Sequence, residues 1–469
     1  MNRGLPRTKI VATVGPATQS EAALERLLAA GVSVFRLNFS HGTQDGHALV
    51  ARRIRAVAAR LGVAAAILGD LQGPKIRTGP LSAPILHLAA GAAFTITTRD
   101  VPGDGACVGT TFPDLPQVVA AGQRLLLDDG RLALRVESVT VTDVVCTVAA
   151  GGELREHVGI NLPDIRTAIP PVTEKDLRDL DLCVDLGLDY VALSFVQQAD
   201  DVRAARARLR ERKSRIPIIA KIERAAAMAH LDSIVRAFDG VMVARGDLAV
   251  ETSPADVPVF QKRIIRAANA VGKPVITATQ MLESMTHSPQ PTRAEASDVA
   301  NAVWDGTDAV MLSGETAVGD YPAETVAMMA SILHRAEEHP PEGITHVAGS
   351  PARAVVQGAC ELAGRVHASA LLVLTRSGRT AEAAACERSR LPVLAVTDSP
   401  AVAQRLALHW GVQPTVMPFA GHTDAMLASA QAHLKAAGVL APGDTIVVTG
   451  SAPVASRGRT NFIKVERVG

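Results

Sequence analysis

Aromatic residues are scarce in this chain: Phe, Tyr and Trp together make up 3% of its 469 residues. Charge of either sign is not in excess, with 48 Lys and Arg against 47 Asp and Glu. A nucleic-acid binder needs a basic field and, for single strands, rings on which bases stack, so both shortages point away from that class and toward a small charged metabolite. Cysteine is sparse as well. The five present, Cys107, Cys146, Cys183, Cys360 and Cys386, form no CxxC pair, which argues against a disulfide framework or a thiolate zinc site and leaves them as reduced structural residues. No uncharged apolar run reaches the length of a membrane span, and MNRGLPRTKI lacks the apolar stretch of a signal peptide, so no membrane contact and a cytoplasmic location are expected. Lysine is rare among the cations, nine of the 48 basic residues. Each one is therefore an informative choice, because ammonium and guanidinium are not interchangeable in a tight site.

What is present is a rhythm. Short β-branched runs alternate with amphipathic helical stretches: TKIVATVGP, VSVFRLNFS and AAAILGDL, then, much later, DYVALSFV, IPIIAKIE, GVMVARGDL, KPVITATQ and DAVMLSGE. Eight such units predict an α/β fold built on a (β/α)8 TIM barrel, assigned to residues 1–72 and 167–343, with its chemistry where the strands end. Residues 73–166 break the rhythm. LLLDDGRLALRVESV reads as a hairpin on an Asp-Gly turn, with AFTITTRD and VVCTVAA as further strands, so an all-β lid domain is expected at the C-terminal face of the barrel. After the Pro/Gly-rich HPPEGITHVAGSP, residues 344–469 return to alternating strands and helices and predict a C-terminal α/β domain with a short open sheet.

The last residues of the barrel strands collect polar groups that would face one cavity: Arg36, Asn38 and Ser40; Asp70; Lys221 and Glu223; Arg245 and Asp247; Thr277 and Thr279; Ser313 and Glu315. Strand alternation puts Lys221 and Glu223 on one side. Asp247 on the next strand would stand beside Glu223, and two carboxylates at a barrel mouth suit Mg²⁺ or Mn²⁺, with no His or Cys to favour zinc. Gly246 lies where a strand turns into a helix, so backbone N–H groups there could receive a carboxylate or phosphate. With Lys221 and Arg36, the set describes a site for a polyanion.

These residues lie in motifs that resemble the pyruvate kinase family over essentially the whole chain: FRLNFSHG, GPKIRTG, PIIAKIE, VMVARGDLAVE, ATQMLESM and DVANAVWDGTDAVMLSGETAVGDYP. The resemblance implies transfer of the phosphoryl group of phosphoenolpyruvate to ADP, giving pyruvate and ATP, the last step of glycolysis. It assigns Mg²⁺ to Glu223 and Asp247, phosphate binding to Arg36, charge neutralisation to Lys221, and the substrate carboxylate to the backbone around Arg245, Gly246 and Asp247. Thr279 is implied in protonating the enolate, with Ser313 and Glu315 nearby. Asn38, His41, Arg77 and Lys175 match nucleotide contacts.

In many relatives K⁺ is held by groups matching Asn38, Ser40, Asp70 and the backbone at Leu71, with an acid where this chain has Lys75. A tethered ammonium can replace the charge of a bound monovalent ion, so Lys75 predicts activity without K⁺. In the C-terminal domain TRSGRT, namely Thr375, Arg376, Ser377, Gly378, Arg379 and Thr380, is a phosphate cradle for an allosteric effector in the family. The later SAPVASRGRT adds Arg457 and Arg459 but lacks the aromatic residue of the fructose-bisphosphate pattern, which leaves a sugar monophosphate or AMP as the expected effector. The resemblance also implies a homotetramer, and it assigns effector binding and oligomerisation to the C-terminal domain. Two rival readings remain at this point: a Mg-dependent barrel aldolase or lyase on keto acids, and a catalytically silent phosphometabolite sensor.

Overall fold

The computed structural model describes residues 5–128, 130–163, 171–339, 349–419, 422–452 and 459–469. Eight parallel strands close into a barrel: Lys9–Thr13, Val32–Asn38, Ala66–Asp70, Tyr190–Leu193, Ile218–Ile222, Gly240–Ala244, Val275–Ala278 and Ala309–Leu312. They pair in chain order, and the eighth returns to the first through Lys9 opposite Ala309. All eight expected strands are there. The sequence runs are apolar without alternation because both faces of the barrel wall are covered, by side chains inside and helices outside. Helices start where short polar side chains satisfy their free amides: Thr173 and Thr292 each complete a reciprocal capping box, with Asp176 and Glu295.

Between the third and fourth barrel strands the chain forms a six-stranded sheet, antiparallel except for the parallel edge pair Ala93–Thr97 and Cys107–Gly109, and a two-stranded ribbon around their own core, which includes Phe94, Ile96, Leu125 and Leu134. The expected hairpin is Arg124–Leu127 against Leu132–Val139, with Asp128 at φ 51° and Gly130 at φ 85° turning the chain. The C-terminal domain carries a five-stranded sheet in the order Val412–Val416, Val393–Thr397, Ala370–Leu374, Thr445–Gly450, Phe462–Arg467, of which only the last is antiparallel. The domain limits expected at 166/167 and 343/344 lie outside the described residues.

This third unit closes the floor of the barrel. Ala407 and Leu408 belong to the same buried cluster as Val11, Leu68, Met242 and Met311 of the barrel interior. The Tyr190 hydroxyl donates to Arg405 O at 2.8 Å, and Lys9 Nζ donates to Val412 O at 2.7 Å. With the floor plugged, only the opposite mouth, at the strands' C-terminal ends, is open to substrate.

Burial of Lys9 lowers its pKa to about 8, an effect that the nearby Glu337 carboxylate only partly offsets. The unfolded chain therefore holds a proton at this group between about pH 8 and the ordinary lysine value, where the folded chain does not. Stability gained from this group accordingly rises with pH through that window. Measured against Lys9→Met by urea denaturation, the parent is expected to gain about 2–3 kcal/mol between pH 8 and 10.5, a shift of about 1.4 kcal/mol per pKa unit. A flat difference across the window would contradict it.

Candidate active site

The barrel fold brings the strand ends together as the alternation requires. Lys221, from the fifth strand, is the centre of the cluster: its ammonium lies 2.8 Å from Glu223 Oε1, 3.1 Å from Asp70 Oδ1, and donates to Ser194 Oγ at 2.8 Å. Arg36, from the second strand, pairs with Asp70 through Nε at 2.7 Å and donates to Thr13 Oγ1 at 3.1 Å. Burial acts to lower the Lys221 pKa, but the Asp70 and Glu223 carboxylates outweigh it and hold the group protonated, above the ordinary lysine value. Asp70 is likewise buried, and Lys221 and Arg36 keep it ionised, below the usual carboxylate range.

Glu223 behaves differently. Only 2% exposed, it has its pKa raised by burial and by the negative charge of Asp247, although Lys221 and the Phe195 amide oppose the shift. The Phe195 N–H donates to its Oε2 at 2.8 Å. A buried carboxylate whose proton affinity is raised by a second one beside it is the electrostatic signature of a place for a cation. Among the described residues no three His, Cys, Asp or Glu side chains gather into a closed cage. A two-carboxylate, all-oxygen donor set fits Mg²⁺, which keeps several waters and shares its shell with substrate.

Arg245 is buried with its guanidinium turned back into the protein, donating to Ala278 O, Thr279 O and Asp298 Oδ2. It braces the Arg245–Glu251 helix against the seventh strand and leaves the backbone there facing the mouth. The Gly246 N–H donates to Thr279 Oγ1 at 2.8 Å. Thr279 and Gln280 both take positive φ, 66° and 53°, a conformation that costs non-glycine residues about 1 kcal/mol or more each and that concentrates at functional sites. Glu315 accepts from Ser313 N at 2.7 Å and Leu282 N at 3.2 Å, and burial raises its pKa. Thr277 departs from the expected arrangement. It is fully buried and donates to Thr307 Oγ1, because strand alternation turns it, with Val275, outward to the helix layer while Ile276 and Ala278 face the barrel interior.

At the rim between barrel and lid stand the expected nucleotide residues. His41 has its pKa lowered first by partial burial and then by the charges of Lys75, Arg77 and Arg36, so it is neutral at physiological pH. Arg77 donates to His157 O at 2.8 Å. Lys175 is held by Phe39 O and Asp179 Oδ2, both at 2.6 Å, and Asn38 Oδ1 accepts from Ser40 N at 3.1 Å. Lys75 is exposed and acts on His41, whereas the cations acting on Asp70 are Lys221 and Arg36. The Leu71 carbonyl accepts the Ser194 hydroxyl at 2.7 Å.

Ser194 and Phe195, at the end of the fourth strand, were not among the sequence candidates although they hold Lys221 and Glu223 in place. For Ser194 the signal available was positional, since ALSFV closes a barrel strand with a polar residue as other strands do.

The effector segment lies in the C-terminal domain, on a cavity of about 1120 Å³ lined by Thr375, Arg376, Ser377, Arg379, Thr380 and Arg459 and, from the barrel, by Arg215. Gly378, at φ 90°, donates its N–H to Thr375 Oγ1 at 3.0 Å, and Arg376 pairs with Asp398 at 2.9 Å. Arg457 lies outside the described residues.

Comparison with known proteins bears on the family and the fold. Residues 5–326 match the pyruvate kinase barrel domain and residues 353–466 the pyruvate kinase alpha/beta domain. The pyruvate kinase of Mycobacterium tuberculosis is 43% identical over 467 residues, covering 99% of this chain and 98% of that protein. That of Agrobacterium vitis is 45% identical over 469 residues, covering 98% and 97%. Among solved structures, a pyruvate kinase from Cryptosporidium parvum superposes with a TM-score of 0.91 at 35% identity, covering 99% of this chain and 96% of that one.

Proposed function

This chain belongs to the pyruvate kinase family, phosphotransferases that pass the phosphoryl group of phosphoenolpyruvate to ADP, and we propose that it carries out this reaction at the open mouth of its barrel. The observation that supports the site is the Lys221 ammonium, protonated and held by Asp70, Glu223 and Ser194 at the strand ends. Membership decides against the keto-acid lyase and the silent sensor.

Arg36 grips the substrate phosphate from beside Asp70. Lys221 faces the bridging region and neutralises charge that develops on the enolate and the transferring phosphoryl group. Backbone N–H groups around Arg245, Gly246 and Asp247 seat the substrate carboxylate, which would take the Gly246 N–H from Thr279 Oγ1; that hydroxyl, whose proton goes to Ala278 O at 2.6 Å in the resting site, would then turn it toward the enolate, with Ser313 and Glu315 close behind. Glu223 and Asp247 would hold Mg²⁺ or Mn²⁺, which when bound would supply positive charge to neutralise the transferring phosphoryl group. Asn38, His41, Arg77 and Lys175 take the nucleotide at the rim, where a neutral His41 can hydrogen-bond without adding charge. The rest is alignment, since phosphoryl transfer asks for positioning and charge neutralisation more than covalent chemistry.

The same proposal includes a cytoplasmic homotetramer, an effector phosphate on Thr375 to Thr380, and independence of K⁺. Asp70 already has two fixed cations, Arg36 and Lys221, and Lys75 adds a third positive charge at the rim that His41 feels. Pyruvate formation from phosphoenolpyruvate and ADP with Mg²⁺ should therefore proceed at rates within about twofold in K⁺ and in tetramethylammonium. Activity in K⁺ alone would retain the enzyme and remove the role given to Lys75, and no pyruvate in either salt would remove the site.

A further inference from the structure

Phe195 is a bulky residue in the left-handed region, at φ 57°, immediately after a strand whose last contacts fix Lys221. Such a conformation is uncommon for an aromatic residue and persists only where the surroundings enforce it. Here it does two things at once. It turns the Phe195 amide onto Glu223 Oε2, and it sends the ring toward the point where the chain leaves the barrel for the lid. That point is Gly73, at φ 68°, where a Cβ would stand 2.8 Å from Phe195 Cδ2. On another side the ring meets the Arg224 guanidinium, 5.5 Å from its centroid, so it is confined between the lid crossing and the residue that follows Glu223.

The crossing itself is anchored. Gly73 N–H donates to Asp176 Oδ1 at 3.0 Å, and the other oxygen of this fully buried carboxylate receives Thr173 N–H at 2.8 Å and Thr173 Oγ1 at 2.7 Å. Thr173 lies on the return path from the lid, so both chain passages meet at one carboxylate. A displacement of the lid about this junction bears on the Phe195 ring, and the amide of the same residue bears on Glu223.

We propose that Phe195 is a positioning residue that orients the Glu223 carboxylate according to where the Gly73 crossing sits, so that divalent-cation affinity depends on lid position. The inference rests on the reading of Glu223 as a metal carboxylate. By linkage, a cation that prefers one orientation of Glu223 must favour the matching position of the crossing by the same factor.

A double-mutant cycle read in Mn²⁺ dissociation constants, by electron paramagnetic resonance on the full-length protein without substrate, tests it. Gly73→Ala puts a methyl group against the ring and is expected to weaken Mn²⁺ binding by about tenfold, the scale of losses when the partner of a metal ligand is disturbed. Phe195→Gly suits positive φ and keeps the amide but removes the ring. In that background Gly73→Ala is expected to change the constant by less than about threefold, the remainder left by the left-handed φ at residue 73 and a tight approach to Ser194 Cβ. Equal effects in both backgrounds, or a lowered melting temperature with an unchanged constant, would sink the lever. Should Gly73→Ala not accumulate as folded protein, parent enzyme carrying 4-fluorophenylalanine gives a second reading. Mg²⁺ alone is expected to move the fluorine signal assigned to Phe195 through Phe195→Leu, and a signal unmoved at saturation overturns the proposal. Glu223→Gln separates the two levels: intact Mn²⁺ binding in that variant defeats the metal reading and the lever together, whereas lost binding there beside an indifferent Gly73→Ala defeats the lever alone.

Discussion

Lys221→Ala is expected to lower kcat by about a thousandfold or more while KM for phosphoenolpyruvate changes by less than about tenfold. The asymmetry follows from what surrounds the ammonium. In the resting site its charge is already matched by Asp70 and Glu223, so a ground-state substrate gains little from it that Arg36 does not also give. As the phosphoryl group leaves, charge builds on the enolate oxygen beside Lys221, in a place largely shielded from water, where a fixed cation acts most strongly. The fold should survive the loss, because Asp70 keeps Arg36 and Glu223 keeps the Phe195 amide. One further consequence separates a charge effect from a packing effect. Glu223 already has a raised pKa, and Lys221 is the group that most opposes the rise. Without Lys221 the carboxylate binds its proton more tightly, so the acidic limb of the kcat/KM profile moves to higher pH. A variant with near-normal turnover, or with the acidic limb in place, would remove Lys221 from the chemistry.

Most of this centre was legible in the sequence because a barrel makes legibility easy. Strand ends converge by construction, so polar residues closing eight apolar runs identify the mouth before any contact is known. Lys221 and Glu223 follow from a two-residue period alone. Where the reading stopped short, the cause was that period meeting local geometry. Thr277 lies two residues before Thr279, but the strand ends at Ala278 and Thr279 takes positive φ, so the two side chains serve different surroundings. Phe195 was invisible as a site residue since its contribution is a backbone amide aimed by an unusual φ, and neither is written in residue type. Asp70 was read with Lys75, its neighbour in sequence, while its partners in space, Arg36 and Lys221, come from other strands. In the C-terminal domain the two edge strands are the least legible: VQPTV carries a proline that a central strand would not accept, and FIKVER is half charged, as an edge open to water permits.

Glu223→Gln carries the second large expectation, about a hundredfold weaker binding of Mn²⁺ and a loss in kcat/KM of about a thousandfold that excess Mg²⁺ only partly restores. The amide is isosteric, and its oxygen can still accept from Phe195 N–H, so the strand end should keep its shape and the melting temperature should stay close to that of the parent. What changes is charge. A neutral amide would be the wrong partner for Lys221, whose ammonium would lose one of the two carboxylates that hold it protonated, and its pKa would fall toward the ordinary value. The metal and the ammonium thus depend on the same carboxylate, one as a ligand and the other as an ion pair, which is why adding Mg²⁺ cannot recover the whole loss. Asp247→Asn provides the contrast. Asp247 influences Lys221 less than Asp70 and Glu223 do, so its loss should weaken Mn²⁺ comparably while excess Mg²⁺ restores more of the turnover. If instead both variants bound Mn²⁺ within about twofold of the parent, the carboxylate pair would be a structural feature of the barrel rim, and the cation would have to be sought elsewhere among the oxygens of the mouth.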